Sequence, residues 1–199
     1  VHGTRLVAGL IALFVVVGLL LPGEASAGSD EFQIHFPQQI EVTTFSNTWH
    51  ARRSGGRSHK GTDLMAPKRT EVYAAADGVV HRVTTSRNAG RYVGITHADG
   101  WETYYMHLNN DLPDMNRGLA PWFLTVAPGI YEGAEVEAGQ LLGWVGDSGN
   151  AEGGASHTHF EIHRNGRAVN PFPYVIAALH RQMNLELVGS LNMSAFYID

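Results

Sequence analysis

The sequence predicts a mainly β fold: an antiparallel β-sandwich or open barrel built from duplicated hairpin units. Three observations carry that expectation. The 199 residues include 23 glycines, a composition that favours turns and short strands over long helices. No segment before Pro171 shows helical periodicity, whereas short runs rich in Val, Ile, Thr and Tyr recur between turn signals. There is also a faint internal repeat. EVYAAADGVV and AEVEAGQLLGWVG each join a Val-containing strand through a glycine turn to a second apolar strand.

Taken in order, the chain begins with a segment that does not belong to that fold. Arg5 precedes an unbroken apolar stretch from Leu6 to Leu21, followed by Pro22, Gly23 and the small-residue site Ala25-Ser26-Ala27. A basic start, an apolar run and an A-x-A site describe a secretory signal peptide over residues 1–27. An uncleaved N-terminal anchor is the alternative, and only then would the protein meet a membrane; the run falls short of the ~20 residues that span a bilayer comfortably. In both cases the remainder is expected to work outside the cytoplasm.

Residues 28–44 read as a polar spacer and a first strand, from the alternation of Phe32, Ile34 and Phe36 stopped by Pro37. Residues 45–175 form the expected main domain, opening with a loop from Trp49 to Lys60 that is rich in Arg, Ser and Gly. RYVGITH and ETYYMHL flank Asp99-Gly100, the signature of a hairpin, and HTHFEIHRNG closes on Asn165-Gly166. Between His107 and Glu132 lies an irregular stretch with Trp122, Phe123 and Tyr131. A connection of that length is uncommon unless functional or disordered, and it is expected to wall the groove or to be a surface insertion. Residues 176–199 are a C-terminal extension, in which Leu179 to Leu191 suits one short helix.

Charge and cysteine content narrow the chemistry. A net charge of −5 and a pI near 6.1 argue against a general nucleic-acid binder. With no cysteine, neither disulfides nor thiolate ligands are available, so any metal must be held by His, Asp or Glu.

Two short motifs carry suitable groups: His59 and Asp63 in HKGTD, and His157 and His159 in SHTHFEIH. On a strand, residues i and i+2 face one side about 7 Å apart, so His157 and His159 can look into one cleft while Thr158 points away. One can bind a metal and the other can hold a proton nearby. Glu161 and His163 share that face. His163 lies about 13 Å from His159 along the strand, too far for the same ion, and reads as a polar surface residue, whereas Glu161 is placed to support a ligand from behind. Gly61 and Thr62 disfavour a helix between His59 and Asp63, so a turn at Gly61 is expected to bring that pair together. His107 ends ETYYMHL at a strand terminus; taken alone it reads as a half-buried strand histidine.

RSHKGTDLMAP, VYAAADGVV, GITHADGWETYYMHL, VEAGQLLGWVGDSGNAEG, SHTHFEIH and VNPFPY follow one another between residues 57 and 174. In that order they resemble the lysostaphin-type (LytM-like) zinc endopeptidases of bacterial cell walls. The resemblance implies a compact antiparallel β-sandwich crossed by a groove that carries the metal site. It implies one Zn2+ ion held by His59, Asp63 and His159, with His107 and His157 as the two catalytic histidines. GDSGNAEGGAS would be a glycine-rich loop shaping the groove. Two features depart from the family pattern: ASHTH replaces a common proline and HLH, and no tyrosine stands near Trp49 and His50 to steady an oxyanion.

The activity so implied is hydrolysis of peptide bonds in peptidoglycan stems or cross-links by a zinc-bound water, in a secreted, wall-associated protein. Arg52, Arg53, Arg57, Lys60, Lys68 and Arg69 crowd around the first two ligands, either as a solvated face or to meet substrate carboxylates. A non-catalytic activator of other wall hydrolases is the alternative, and it would not need all five positions filled. A biotinyl- or lipoyl-carrier domain would need a lysine at a hairpin tip, but Lys60 and Lys68 are the only lysines and both lie elsewhere. The sequence assigns no oligomeric state.

Overall fold

The computed structural model describes residues 32–195, with side chains described up to residue 185. The expected leader or anchor, residues 1–27, lies outside the described residues. Among the described residues, no helix is long and apolar enough to cross a membrane.

Among the described residues, nine strands and one α-helix follow in order: β1 (Thr62–Met65), β2 (Glu71–Tyr73), β3 (Gly78–Ser86), β4 (Gly90–Thr96), β5 (Trp101–Leu108), β6 (Glu135–Val136), β7 (Leu141–Trp144), β8 (His157–Arg164), β9 (Arg167–Val169) and α1 (Phe172–Ala195). The large sheet runs β1-β8-β5-β4-β3-β6, with β9 continuing the β1 edge of β8; β2 and β7 form a second, two-stranded sheet. Every pairing is antiparallel. The expected mainly antiparallel β class is therefore the observed one.

Turn chemistry sets the hairpins. Asp99 and Gly100 both take positive φ (55° and 73°) between β4 and β5, and Asn165 and Gly166 do the same (50° and 72°) between β8 and β9. Two consecutive left-handed residues match the twist of antiparallel strands, which is why Asp-Gly and Asn-Gly are read as hairpin signals.

The repeated units do not form hairpins within themselves. In the first, β2 leads to β3; in the second, β6 leads to β7. The partners are exchanged, β2 with β7 and β3 with β6. Each unit thus gives one strand to each sheet and ties the two layers together. The physical reason is burial. Val72 and Leu142 in the small sheet and Val80 and Val136 in the large one join a single apolar core, which an isolated hairpin could not enclose.

One face of the large sheet supplies most of that core, through Leu64, Val93, Ile95, Tyr105, Phe160 and Ile162. Tyr105 is fully buried, and its hydroxyl accepts the Ala75 N–H at 2.7 Å, so the polar atom is satisfied. The expected first strand is extended and docked but not regular. Ile34 and Phe36 are buried as the alternation predicts, while pairing to β2 reduces to a single bridge between Gln38 and Val72 and a few backbone bonds. Pro37 has no N–H to donate there.

The C-terminal helix begins earlier than Leu179, at Phe172. Pro171 and Pro173 flank its first residue, and proline is tolerated at a helix start, where N–H groups have no intrahelical partner. The Phe172 N–H is instead capped by Asn170 Oδ1 at 3.1 Å, and Val175 and Ala178, three residues apart, face the core.

Candidate metal centre and groove

The opposite face of the large sheet is where the chemistry-bearing residues gather. Along β8 the alternation is strict: Thr158, Phe160 and Ile162 are fully buried in the core, while His157, His159, Glu161 and His163 lie on the other face. In the β1–β8 pairing Asp63 stands directly opposite His159, and Met65 opposite His157. The same alternation on β1 turns Asp63 to the groove and Leu64 to the core.

His59 lies just before β1, at the end of a small backbone ladder. Arg53 N–H bonds to Arg57 O, His59 N–H to Ala51 O and His50 N–H to His59 O, each at 2.9 Å. Gly55 and Gly56 (φ 71° and 73°) turn the tip of this arm. Gly61 then lets the chain close on β8. A Cβ there would lie 2.6 Å from Phe160 O and 2.7 Å from Cε1 and Nε2 of His159. Only glycine fits, and the chain bends at that position.

Three donor atoms converge as a result. His59 Nε2 lies 3.0 Å from Asp63 Oδ1 and 2.9 Å from His159 Nδ1, and His159 Nδ1 lies 2.9 Å from Asp63 Oδ1. Each imidazole has its other nitrogen engaged from behind. His59 Nδ1–H donates to the Thr48 carbonyl at 3.0 Å, and His159 Nε2–H donates to Glu161 Oε1 at 3.0 Å. Once each ring is neutral, those partners hold its remaining proton away from the triangle and leave a lone pair on the converging nitrogen. Two neutral imidazole nitrogens and a carboxylate oxygen suit a divalent cation such as zinc, with further positions open. His59, Asp63 and His159 could hold it.

The field at that point favours positive charge. Burial opposes a charge on His159, but bonding to Asp63 and Glu161 pushes its pKa up to about 9. Asp63, although burial works against it, is held well below the usual carboxylate range by His159 and His59. Arg53 also pairs with the second oxygen of Asp63. Glu161 is brought down to about 2, against its own burial, because it bridges His159 and His163; its Oε2 lies 2.7 Å from His163 Nε2.

His107 reaches the groove by a different route. On β5, Trp101, Thr103 and Tyr105 face the core, so regular alternation would bury His107 there too. A bulge intervenes: two steps of β4, from Arg91 to Val93, oppose three steps of β5, from Leu108 to Tyr105. Within it His107 takes a left-handed conformation (φ 63°), and its ring turns to lie 4.9 Å from that of His157 and 6.0 Å from that of His159, centroid to centroid. A left-handed non-glycine residue costs ~1 kcal/mol or more and persists only where its surroundings hold it. The holders are the Ala89 carbonyl, which accepts the His107 N–H, and the Ser148 carbonyl, which accepts Nδ1–H at 2.8 Å.

His157 donates Nδ1–H to the Ala155 carbonyl at 2.9 Å, so its Nε2 also faces the groove; that atom is 3.8 Å from Asp63 Oδ1, beyond hydrogen-bonding reach. Burial drives the His107 pKa down to about 4, which keeps it neutral and able to accept a proton at neutral pH.

The groove has a volume of about 780 Å³. Its walls are the 52–60 arm, the β3–β4 turn at Ser86, Asn88 and Ala89, and Asn150 and Ala151 from the glycine-rich loop. The irregular segment after His107 is not among the lining residues, so of its two expected places it takes the one outside the groove. It is fastened to β7 and β4 instead: Ala127 N–H bonds to the Leu142 carbonyl and Trp144 N–H to the Thr125 carbonyl. Arg91 bonds Thr125 Oγ1 and the Ala120 carbonyl and stacks on Trp122, and Asp111 accepts the N–H groups of Arg117 and Gly118. Lys68, counted among the cations near the ligands, instead bridges buried Asp111 and Asp147 at 2.7 Å each. That ammonium already supplies the positive charge in the acidic cluster of Asp111, Asp147 and Glu152.

Among the site residues, sequence reasoning missed Thr48, Ser148 and Ala155, which act through backbone carbonyls. No side-chain pattern signals such a role. No tyrosine lines the groove among the described residues.

Comparison with known proteins places the fold and its motifs. Residues 57–120 and 122–171 match the family described as Peptidase family M23. The peptidoglycan DD-endopeptidase ShyC of Vibrio cholerae serotype O1 is 33% identical over 115 residues, 58% of this chain and 22% of that protein. A zinc-containing peptidase from Vibrio cholerae superposes with a TM-score of 0.55 at 26% identity, over 70% of this chain and 39% of that one. The catalytic domain of the antimicrobial peptidase lysostaphin from Staphylococcus simulans gives a TM-score of 0.52 at 25% identity, over 67% of this chain and 92% of that domain. The chain spans about a fifth of the length of the first curated relatives it matches. With more than half of its residues matched in motif order, the chain belongs to peptidase family M23.

Proposed function

We propose that this protein is an extracytoplasmic zinc endopeptidase that hydrolyses peptide bonds in peptidoglycan stems or cross-links. The observation that carries the reading is the convergence of His59 Nε2, Asp63 Oδ1 and His159 Nδ1 within 3.0 Å of one another, with His107 and His157 facing the same groove. The named activity of the relative ShyC supports the substrate class.

A zinc ion held by His59, Asp63 and His159 supplies Lewis acidity towards a carbonyl and lowers the pKa of water towards ~7. The chain's own groups do the rest. One of His107 and His157 accepts the proton of the attacking water at Nε2, because Nδ1 of each is committed to a carbonyl. The imidazolium so formed donates its Nε2–H towards the developing oxyanion and then returns that same proton to the leaving amine. Glu161 holds the His159 ring in the orientation and tautomer that point Nδ1 at the cation.

The alternative, a non-catalytic activator, has no use for a complete donor set with its supporting bonds. Digestion of purified peptidoglycan by the full chain, with mass spectrometry of the fragments, decides between them. Cleavage abolished by a chelator and by Asp63→Ala is expected, and His107→Ala or His157→Ala should lose turnover while keeping zinc. Absence of chelator-sensitive cleavage would favour the activator.

A further inference from the structure

We infer that the arm preceding β1 is an anion-reading surface, and that Arg52, Arg57 and Lys60 on it select peptides with free carboxylates. The inference rests on the endopeptidase reading above, which it sharpens to an acidic class of substrate.

The argument starts from charge. The chain carries a net charge of −5, so its overall field repels an acidic ligand, yet its groove has the opposite sign. Arg52, Arg53, Arg57 and Lys60 all line it, and the only acids lining it among the described residues are Asp63 and Glu161. Both of those are consumed. Asp63 is shared by His59, His159 and Arg53, and Glu161 by His159 and His163. Arg53 is thereby committed, and three cations remain without an acidic partner. The Arg57 guanidinium bonds only to Ser54, a neutral group that leaves its charge uncompensated.

Geometry then specifies what these cations meet. The arm is a closed ladder, with Arg52 bridged to Ser58 and Arg53 bonded to Arg57, and it ends in His59. Lys60 follows that candidate ligand directly in the chain. An anion held by Arg52, Arg57 or Lys60 therefore belongs to a molecule lying in the same groove as the reacting centre. A peptide with carboxylates a few residues from its scissile bond fits that placement. A long polyanion bound elsewhere on the wall does not. Cations of one sign lining a concave site also focus the potential there and raise the encounter rate of an acidic ligand.

The test uses zinc-loaded full chain and two cross-linked stem peptides that differ only in bearing free carboxylates or carboxamides. Wild type is expected to prefer the acid in kcat/KM by about four- to eightfold, since two or three exposed charge pairs contribute about twofold each. The preference should reside in KM and fade at high salt. In the triple variant R52Q/R57Q/K60Q the acid-to-amide ratio is expected to fall to about one. An unchanged ratio in the variant, or no preference in wild type, overturns the inference while leaving the endopeptidase reading intact. If neither peptide is cleaved, that reading fails, and equilibrium binding of the same two peptides to the same two proteins still decides the surface by the same ratios. A poly(glycerol phosphate) chain is the third probe. Its binding, lost in the triple variant while the two peptides bind equally, would assign the arm to a phosphate polymer and overturn the peptide assignment.

Discussion

Gly61→Ala tests the geometry of the centre with the smallest possible change. An added Cβ would sit 2.7 Å from Cε1 and Nε2 of His159 and 2.6 Å from the Phe160 carbonyl oxygen, whereas ordinary contact begins at 3.4 Å. Relief therefore needs about 0.7 Å of movement at the ring or 0.8 Å at the carbonyl. The carbonyl cannot retreat, because Phe160 is paired with Thr62 on one side and Tyr105 on the other. The ring must give. Metal sites tolerate departures of only about 0.2 Å in ligand distance, so zinc affinity is expected to fall by about 10- to 100-fold. Overpacking should add a stability loss of about 1–3 kcal/mol. Zinc competition against a chromogenic chelator reads the first effect and thermal melting the second. Gly133→Ala is the control. It meets nothing within 4 Å but has φ +96°, so it should cost stability without touching zinc affinity. If Gly61→Ala binds zinc within twofold of wild type and melts with it, the reasoning about this contact is wrong.

Three further outcomes follow from the same structure. Glu161→Gln keeps the shape of the side chain but removes the charge behind His159, so zinc affinity should drop about tenfold or more, with Glu161→Ala at least as severe; equal affinity in all three proteins would refute a supporting role. Because His159 without a cation is pushed up to about 9, it carries a proton at pH 7 that zinc must displace. Zinc uptake at pH 7 should then release about one proton, and affinity should rise between pH 7 and 9 and fall towards acid, as titration calorimetry in buffers of different ionisation enthalpy will read; no proton release would count against it. Lys68→Met strands two carboxylates, Asp111 and Asp147, each 1% exposed, and should destabilise the fold by about 3 kcal/mol in denaturant melts, while zinc affinity stays unchanged.

Two parts of the site were legible in the residue pattern because local rules govern them. The period of two along HTHFEIH assigns His157, His159 and Glu161 to one face and Thr158 to the other, whatever the rest of the chain does. Asp-Gly and Asn-Gly dictate the two hairpins, since few residues accept positive φ there. Gly61 was read as a turn and the chain does bend there, though the close approach of the His159 ring that demands glycine belongs to the fold.

Long-range contacts decided the rest. A period-of-two reading sends His107 into the core, and only the bulge between β4 and β5, held by the Ala89 and Ser148 carbonyls, turns it towards His157. The two repeated units look like hairpins in sequence, but strand pairing depends on which apolar faces can be buried together, and that exchanged their partners. The aromatic segment after His107 has the composition of a groove wall, yet Arg91 and Asp111 fasten it elsewhere. Residue type and spacing therefore marked His59, Asp63, His157 and His159 as candidate groups, because those motifs are local, whereas His107 joined them only through the family resemblance. The convergence of His59, Asp63 and His159 on one point within 3.0 Å depends on β1 lying beside β8, a contact between segments almost a hundred residues apart that only the folded core enforces.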